Sequence, residues 1–220
     1  MGTLAELATT RGLPRGRGKL PREQVDEAHC DRLMRAMTAA VAELGYANVR
    51  IADVVDRARV SRQSFYEQFL DKEACFLAAH ELGIELILER LAEATKDVQS
   101  LEPAAQLRAG IRTYLSLAAA EPEFAQCMLI ELPAIGPTGL RARLAAHEQI
   151  ALVLRAWHES ARAANTTRWP EVPPARYAAA VGAAHDLVFG LVATGRTMEA
   201  PALEQDIYGA IAALLAMPSA

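Results

Sequence analysis

The reading turns on Ile51-Ala52-Asp53-Val54-Val55-Asp56-Arg57-Ala58, then Arg59-Val60, then Ser61-Arg62-Gln63-Ser64-Phe65-Tyr66-Glu67-Gln68-Phe69. The first segment is short, apolar-periodic and of helical spacing. The second opens on Ser61, a good N-cap because its hydroxyl can accept from the free amides of a first turn. Phe65 and Phe69 stand four apart, so one face of this helix anchors it to whatever lies behind. Two short helices joined by a tight turn of three to four residues make a helix-turn-helix.

Working outward, every further segment also reads as helix. Upstream, Glu23 to about Leu44 carries Leu33, Met37, Val41 and Leu44 at helical spacing, and Gly45 closes it. Downstream, Asp71 caps a long helix to about Gln99, with Phe76, His80, Ile84, Ile87 and Leu91 on one side. Further helices are expected from Pro103 to Ala120, from Glu121-Pro122 onward, from Leu140 to Ala164, from Ala175 to Thr194 and from Ala202 to Met217. Pro133–Gly139 and Trp169–Pro174 are expected as loops, and residues 1–20, punctuated by Gly, Pro and Arg, as a flexible arm. There is no alternating strand pattern and no repeat, so the expected class is all-α. The domain reading is an arm over 1–20, a three-helix head over 21–70 and a larger helical body over 71–220.

Composition fits. The 220 residues are 52% hydrophobic and 23% charged, which excludes a disordered chain. Three widely spaced cysteines, Cys30, Cys75 and Cys127, give neither a disulfide framework nor a Cys-x-x-Cys metal site. No signal peptide or membrane span of roughly 20 apolar residues is legible, and a cytoplasmic protein is expected. The net charge of -4 hides an asymmetry: residues 1–70 hold 11 Lys and Arg against 9 Asp and Glu, whereas 71–220 hold 12 against 18. A basic head on an acidic body suits a chain whose head alone meets phosphates.

In a helix-turn-helix the second helix enters the DNA major groove and its N-terminal residues reach base edges. Those residues here are Ser61, Arg62, Gln63 and Ser64; Arg pairs bidentately with guanine and Gln with adenine. Tyr66 offers a hydroxyl to a backbone phosphate. Lys72 sits in the first turn of the next helix, where the helix dipole disfavours a cation, and a docked phosphate would explain it. Arg15, Arg17 and Lys19 are candidates for an arm that reaches the minor groove.

The run Gly45-Tyr46, Ile51 to Val55, Ala58 to Ser61, Phe65-Tyr66, Phe69 and Asp71-Lys72-Glu73 resembles the DNA-binding region of the tetracycline-repressor (TetR) family over residues 23–80. The resemblance implies a homodimer with a three-helix DNA-binding head and a body that binds a small molecule, the last two helices forming the dimer interface. Independently, the segments 175–194 and 202–217 are too apolar to be left solvated. Two positions depart from the family. Arg59 stands where it usually has glycine, which predicts an altered turn or a positive φ with the side chain free to reach a phosphate. Arg50 stands in place of a capping threonine, losing the cap but keeping a possible phosphate contact.

Catalysis finds no support. His147 and His158 lie about 16 Å apart along one helix and cannot share a metal; Ala151 stands where a zinc-protease motif begun by His147-Glu148 needs its second histidine. Gly18-Lys19 lacks the rest of a phosphate-binding loop. Neither metal nor cofactor is expected. In the body, Tyr114, Phe124, Met128, Trp157, His158 and His185 combine bulk with a few hydrogen-bonding tips, as ligand pockets do, although each also suits plain core packing. With no charged cluster on these faces, the expected effector is apolar or amphipathic. The expected function is a ligand-responsive, DNA-binding repressor that reads a pseudo-palindromic operator; the rival is a helical small-molecule-binding protein or scaffold whose head is unused.

Overall fold

The computed structural model describes residues 22–96 and 102–218. Among them there is no strand. The helices are α1 (Arg22–Leu44), α2 (Ile51–Ala58), α3 (Arg62–Gln68), α4 (Lys72–Lys96), α5 (Pro103–Ala120), α6 (Pro122–Gln126), α7 (Pro137–Ala164), α8 (Pro174–Ala193) and α9 (Glu204–Leu214). A π-helical turn (Cys127–Glu131) and a 3-10 turn (Leu132–Ile135) follow α6, and a 3-10 turn (Thr197–Leu203) precedes α9. The described chain groups into two compact units.

The first unit holds α1, α2, α3, the part of α4 up to Leu86, and Glu123–Gly139. Leu33, Met37, Ala40 and Val41 of α1 are wholly buried, and Phe65 and Phe76 lie against the same interior with no exposure. Burying a side chain such as Phe65 contributes about 2–3 kcal/mol, which is why so short a helix as α3 holds its place. Tyr46 stacks on Phe76 with ring centroids 5.3 Å apart. Gly45, at φ 76, ends α1 and donates its N–H to Val41 O at 2.9 Å.

Residues distant in sequence complete this unit. The Cys127 thiol donates to Thr38 O at 3.3 Å, and a Cβ at Gly83 would lie 2.0 Å from the Phe124 ring, so only glycine fits there. The expected loop over Pro133–Gly139 is instead a 3-10 turn followed by the start of α7. Gly136, at φ 85, breaks the two, and Pro137 supplies a preset φ for the new helix.

The second unit holds α4 from Ile87, α5, α7 from Leu140, α8 and α9. Leu107, Ile111, Leu115 and Ala119 form the buried row of α5. Ile207 and Ile211 of α9, with Leu215 beyond it, are buried in the same unit, as are Tyr177, Ala180, Val181, Val188, Leu191 and Val192 of α8. Arg108 lies 3.7 Å over the Tyr208 ring and pairs with Glu204 at 3.4 Å. Pro201 has no N–H to give a helix, and α9 begins only at Glu204, two residues later than expected. On α8, Ala178, Ala179, Leu187, Phe189, Gly190 and Ala193 remain exposed.

Candidate functional site

The turn between α2 and α3 is set by hydrogen bonds. Val60 N–H donates to Val55 O at 3.2 Å and Arg59 N–H to Asp56 O at 3.4 Å, the pattern of a Schellman cap. Arg59 occupies its left-handed position at φ 53, ψ 47, where glycine would be unstrained; an L side chain costs on the order of 1 kcal/mol there. The side chain stands exposed. This is the positive φ that the sequence called for.

Ser61, at φ -75 and ψ 156, caps α3: its Oγ accepts from Ser64 N–H at 2.9 Å and lies 2.9 Å from Ser64 Oγ. Phe65 and Phe69 are buried beneath, with centroids 5.8 Å apart, so the outer ridge carries Arg62, Gln63 and Tyr66. Each long polar side chain rests on a neighbour one turn along. Arg62 Nη2 reaches Tyr66 OH at 3.4 Å, and Gln63 Nε2 donates to Glu67 Oε1 at 3.0 Å. Such exposed pairs are worth only about 0.2–0.5 kcal/mol, so they orient the ridge without locking it.

Arg50 is the N-cap residue of α2, and its side chain makes no cap, as expected. Asp53 replaces that function by accepting the Arg50 N–H at 2.8 Å, while the Arg50 guanidinium, 82% exposed, stays 3.6 Å from the same carboxylate.

Lys72 has internal partners that the sequence did not show. Its ammonium donates to Tyr46 O at 2.8 Å, Val49 O at 3.0 Å and Ala47 O at 3.5 Å, and it lies 4.5 Å from the Tyr46 ring centroid. The carbonyls of the α1–α2 turn account for a cation at the first turn of α4, with no phosphate needed to explain it. Sequence reasoning also missed Glu131, whose Oε2 accepts from Tyr46 N–H at 2.8 Å on the same turn, 85 positions away. Arg15, Arg17 and Lys19 lie outside the described residues.

The six ligand candidates are divided between the two units. Phe124 and Met128 belong to the first unit. In the second, Trp157 and His158 join Trp169 and Tyr177: Trp157 meets Trp169 edge-on at 5.6 Å, and the buried His158 places Nδ1 2.9 Å from Tyr177 OH. Burial and the Arg162 charge hold His158 below its ordinary imidazole range. His185 sits elsewhere, edge-on to His147 at 4.7 Å, with Arg143 Nη2 3.3 Å from its Nδ1. Burial, then Arg143 and His147, lower it to about 4. Burial pushes the Tyr114 hydroxyl of α5 up to about 12. Among the described residues no group of His, Cys, Asp or Glu could hold a metal ion, and no helix is long and apolar enough to cross a membrane.

A family model described as bacterial regulatory proteins, tetR family, matches residues 33–79. The head, over residues 33–79, is thus similar to the DNA-binding region of tetR-family regulators. Solved structures share the fold at low identity. The fatty acid degradation regulator FadR from Bacillus halodurans is 14% identical, with a TM-score of 0.72, over 83% of this chain and 94% of its own. FadR from Bacillus subtilis, solved with stearoyl-CoA, is 15% identical with a TM-score of 0.72, over 82% and 96%. A tetR-family regulatory protein from Rhodococcus RHA1 is 16% identical with a TM-score of 0.65, over 83% and 96%. No curated protein sequence matches the chain. The tetR-family match takes in α2, α3 and the start of α4, so it covers the residues whose geometry is described above.

Proposed function

We propose that this chain is a ligand-responsive repressor of the tetR family that binds a pseudo-palindromic operator as a homodimer. The observation that carries the reading is α3, with Phe65 and Phe69 buried beneath and Arg62 and Gln63 exposed above. Arg62 and Gln63 read base edges; Ser61, Ser64 and Tyr66 frame them. Arg50 and Arg59 contact the backbone, and Arg15, Arg17 and Lys19 belong to an arm over 1–20 that enters the minor groove. The head is taken to span 21–70 and the body 71–220, in a cytoplasmic protein without catalytic activity.

Dimerisation uses residues 175–194 and 202–217. Support comes from the exposed Phe189 and Leu187 and from Gly182, Gly190 and Gly209, beside which an added Cβ would meet nothing, so a second backbone has room to approach. Two heads then sit about one DNA turn apart, roughly 34–36 Å. The effector is apolar or amphipathic, in keeping with the stearoyl-CoA bound by the Bacillus subtilis relative, with the half-buried Tyr114 and Trp157 and with the buried His158 and His185. Effector binding lowers operator affinity by typically 1–3 kcal/mol.

Fluorescence anisotropy on DNA from upstream of the gene, against scrambled DNA at several salt concentrations, tests this. Tight, salt-steep binding that prefers the upstream fragment is expected. Equal weak binding to a panel of genomic fragments would refute a working DNA-binding head and favour a body that acts alone.

A further inference from the structure

The second unit holds a cationic cluster that the helix-turn-helix does not use. Arg143 and His147 stand one turn apart on α7, and His185 faces them from α8. The other half-buried arginines of this unit reach carboxylates: Arg90 pairs with Glu93 at 3.0 Å, Arg108 with Glu204 at 3.4 Å and Arg162 with Glu171 at 3.7 Å. Among the described residues Arg143 has none; it makes one hydrogen bond, to His185 Nδ1 at 3.3 Å. A guanidinium only donates, so Nδ1 is the acceptor and the His185 proton sits on Nε2. His147 Nε2 is buried with no hydrogen-bond partner. Leaving a buried polar nitrogen unpaired is unfavourable, and so is leaving a partly buried guanidinium without a counter-charge.

We propose that Arg143, His147 and His185 form an anion site that takes the carboxylate or phosphate end of the effector. The anion accepts from the free N–H groups of Arg143 and from a His147 Nε2–H, both charge-assisted once the imidazole is protonated. The acids next in sequence, Glu148 and Asp186, are exposed to solvent. Without an anion, burial and the mutual repulsion of the three groups keep both imidazoles neutral, lowering His147 below 6.5 as well as His185. A bound anion reverses that balance, so binding takes up protons and tightens as pH falls through the imidazole range. The inference rests on the amphipathic-effector reading for the rest of the ligand, but the anion site itself can be tested apart from it.

Two experiments on the full chain separate the parts. In the first, decanoate, decyl phosphate and decan-1-ol are titrated by calorimetry into wild type and Arg143→Met. The anionic compounds are expected to bind about tenfold or more tighter than the alcohol. Arg143→Met should bring all three within about twofold, with the alcohol unchanged. The ratio of decanoate to decyl phosphate identifies the preferred head. In the second, inorganic phosphate and acetate are added at constant ionic strength while the His147 and His185 imidazole signals are followed by NMR. Those signals should shift in wild type and stay still in Arg143→Met. His147→Phe, which leaves the arginine in place, should also abolish the anion preference and serves if Arg143→Met folds poorly. Silent imidazole signals, or an anion preference that survives both substitutions, overturns the site. Imidazole shifts with no binding of any decyl compound keep the site and overturn the amphipathic effector instead.

Discussion

Lys72→Met removes the ammonium and keeps most of the apolar stem. Hydrogen bonds to a charged donor are worth about 1.5–3 kcal/mol each, and two of the three here have good lengths, 2.8 and 3.0 Å. The third, at 3.5 Å, is marginal. The contact with the Tyr46 ring adds about 0.5–1 kcal/mol, and freeing the lysine side chain returns up to about 2 kcal/mol of entropy. The net loss is about 1.5–5 kcal/mol, a fall in melting temperature of roughly 3–20 °C for a chain of this size. Stability is read by thermal and urea unfolding, and DNA binding by anisotropy at several salt concentrations. With the lysine engaged on the turn, the slope of log affinity against log salt stays within a few tenths of wild type. A lysine on a phosphate would instead reduce that slope by about one and leave the melting temperature alone. That second result would refute the assignment of Lys72 to the turn.

Gln63→Ala should change which operator sequence is preferred, whereas Arg50→Ala should weaken all sequences alike; a selection from random DNA with each variant checks both. Gly83→Ala drives a methyl group into the Phe124 ring and should destabilise the first unit by about 1–3 kcal/mol, with Phe124→Leu on the same chain restoring part of it in urea unfolding. Burial lowers His80 in the first unit and His185 in the second to about 4, so both are neutral when folded and protonate more readily when unfolded. Their stabilisation is complete above pH 6.5 and is lost as pH falls from there towards about 4. His80→Phe should flatten that loss in a melting series; an unchanged pH profile would remove His80 from the account.

The head was legible because its signals are local. Ser61 caps the helix that begins one residue later, Phe65 and Phe69 lie on one face at a spacing of four, and Arg59 departs from glycine at a position where the backbone is left-handed. The contacts that were not legible join residues with no periodic relation. Lys72 binds main-chain carbonyls 23 to 26 positions away, and a carbonyl leaves no trace in the residue alphabet. Glu131 reaches an amide 85 positions away, from a π-helical turn that propensity does not announce. The Pro133–Gly139 segment read as loop because Pro and Gly mark both loops and helix starts, and only the placement of Pro137 distinguishes them. The sequence separated His147 from His158 but gave no partner for it; its neighbour, His185, comes from another helix.

The bond from Gln63 Nε2 to Glu67 Oε1 has a bearing on discrimination between DNA sequences. If Gln63 reads adenine as proposed, it must let go of Glu67 to do so, which leaves a bare carboxylate close to a polyanion. A base offering both an acceptor and a donor compensates for that release. Any other base leaves the glutamine at rest on its partner and gains nothing, while Glu67 still faces the phosphates. On the proposed reading of Gln63, the release of Glu67 is thus a cost that only the engaged site meets, so Glu67→Ala should raise affinity for the preferred operator more than for other sequences.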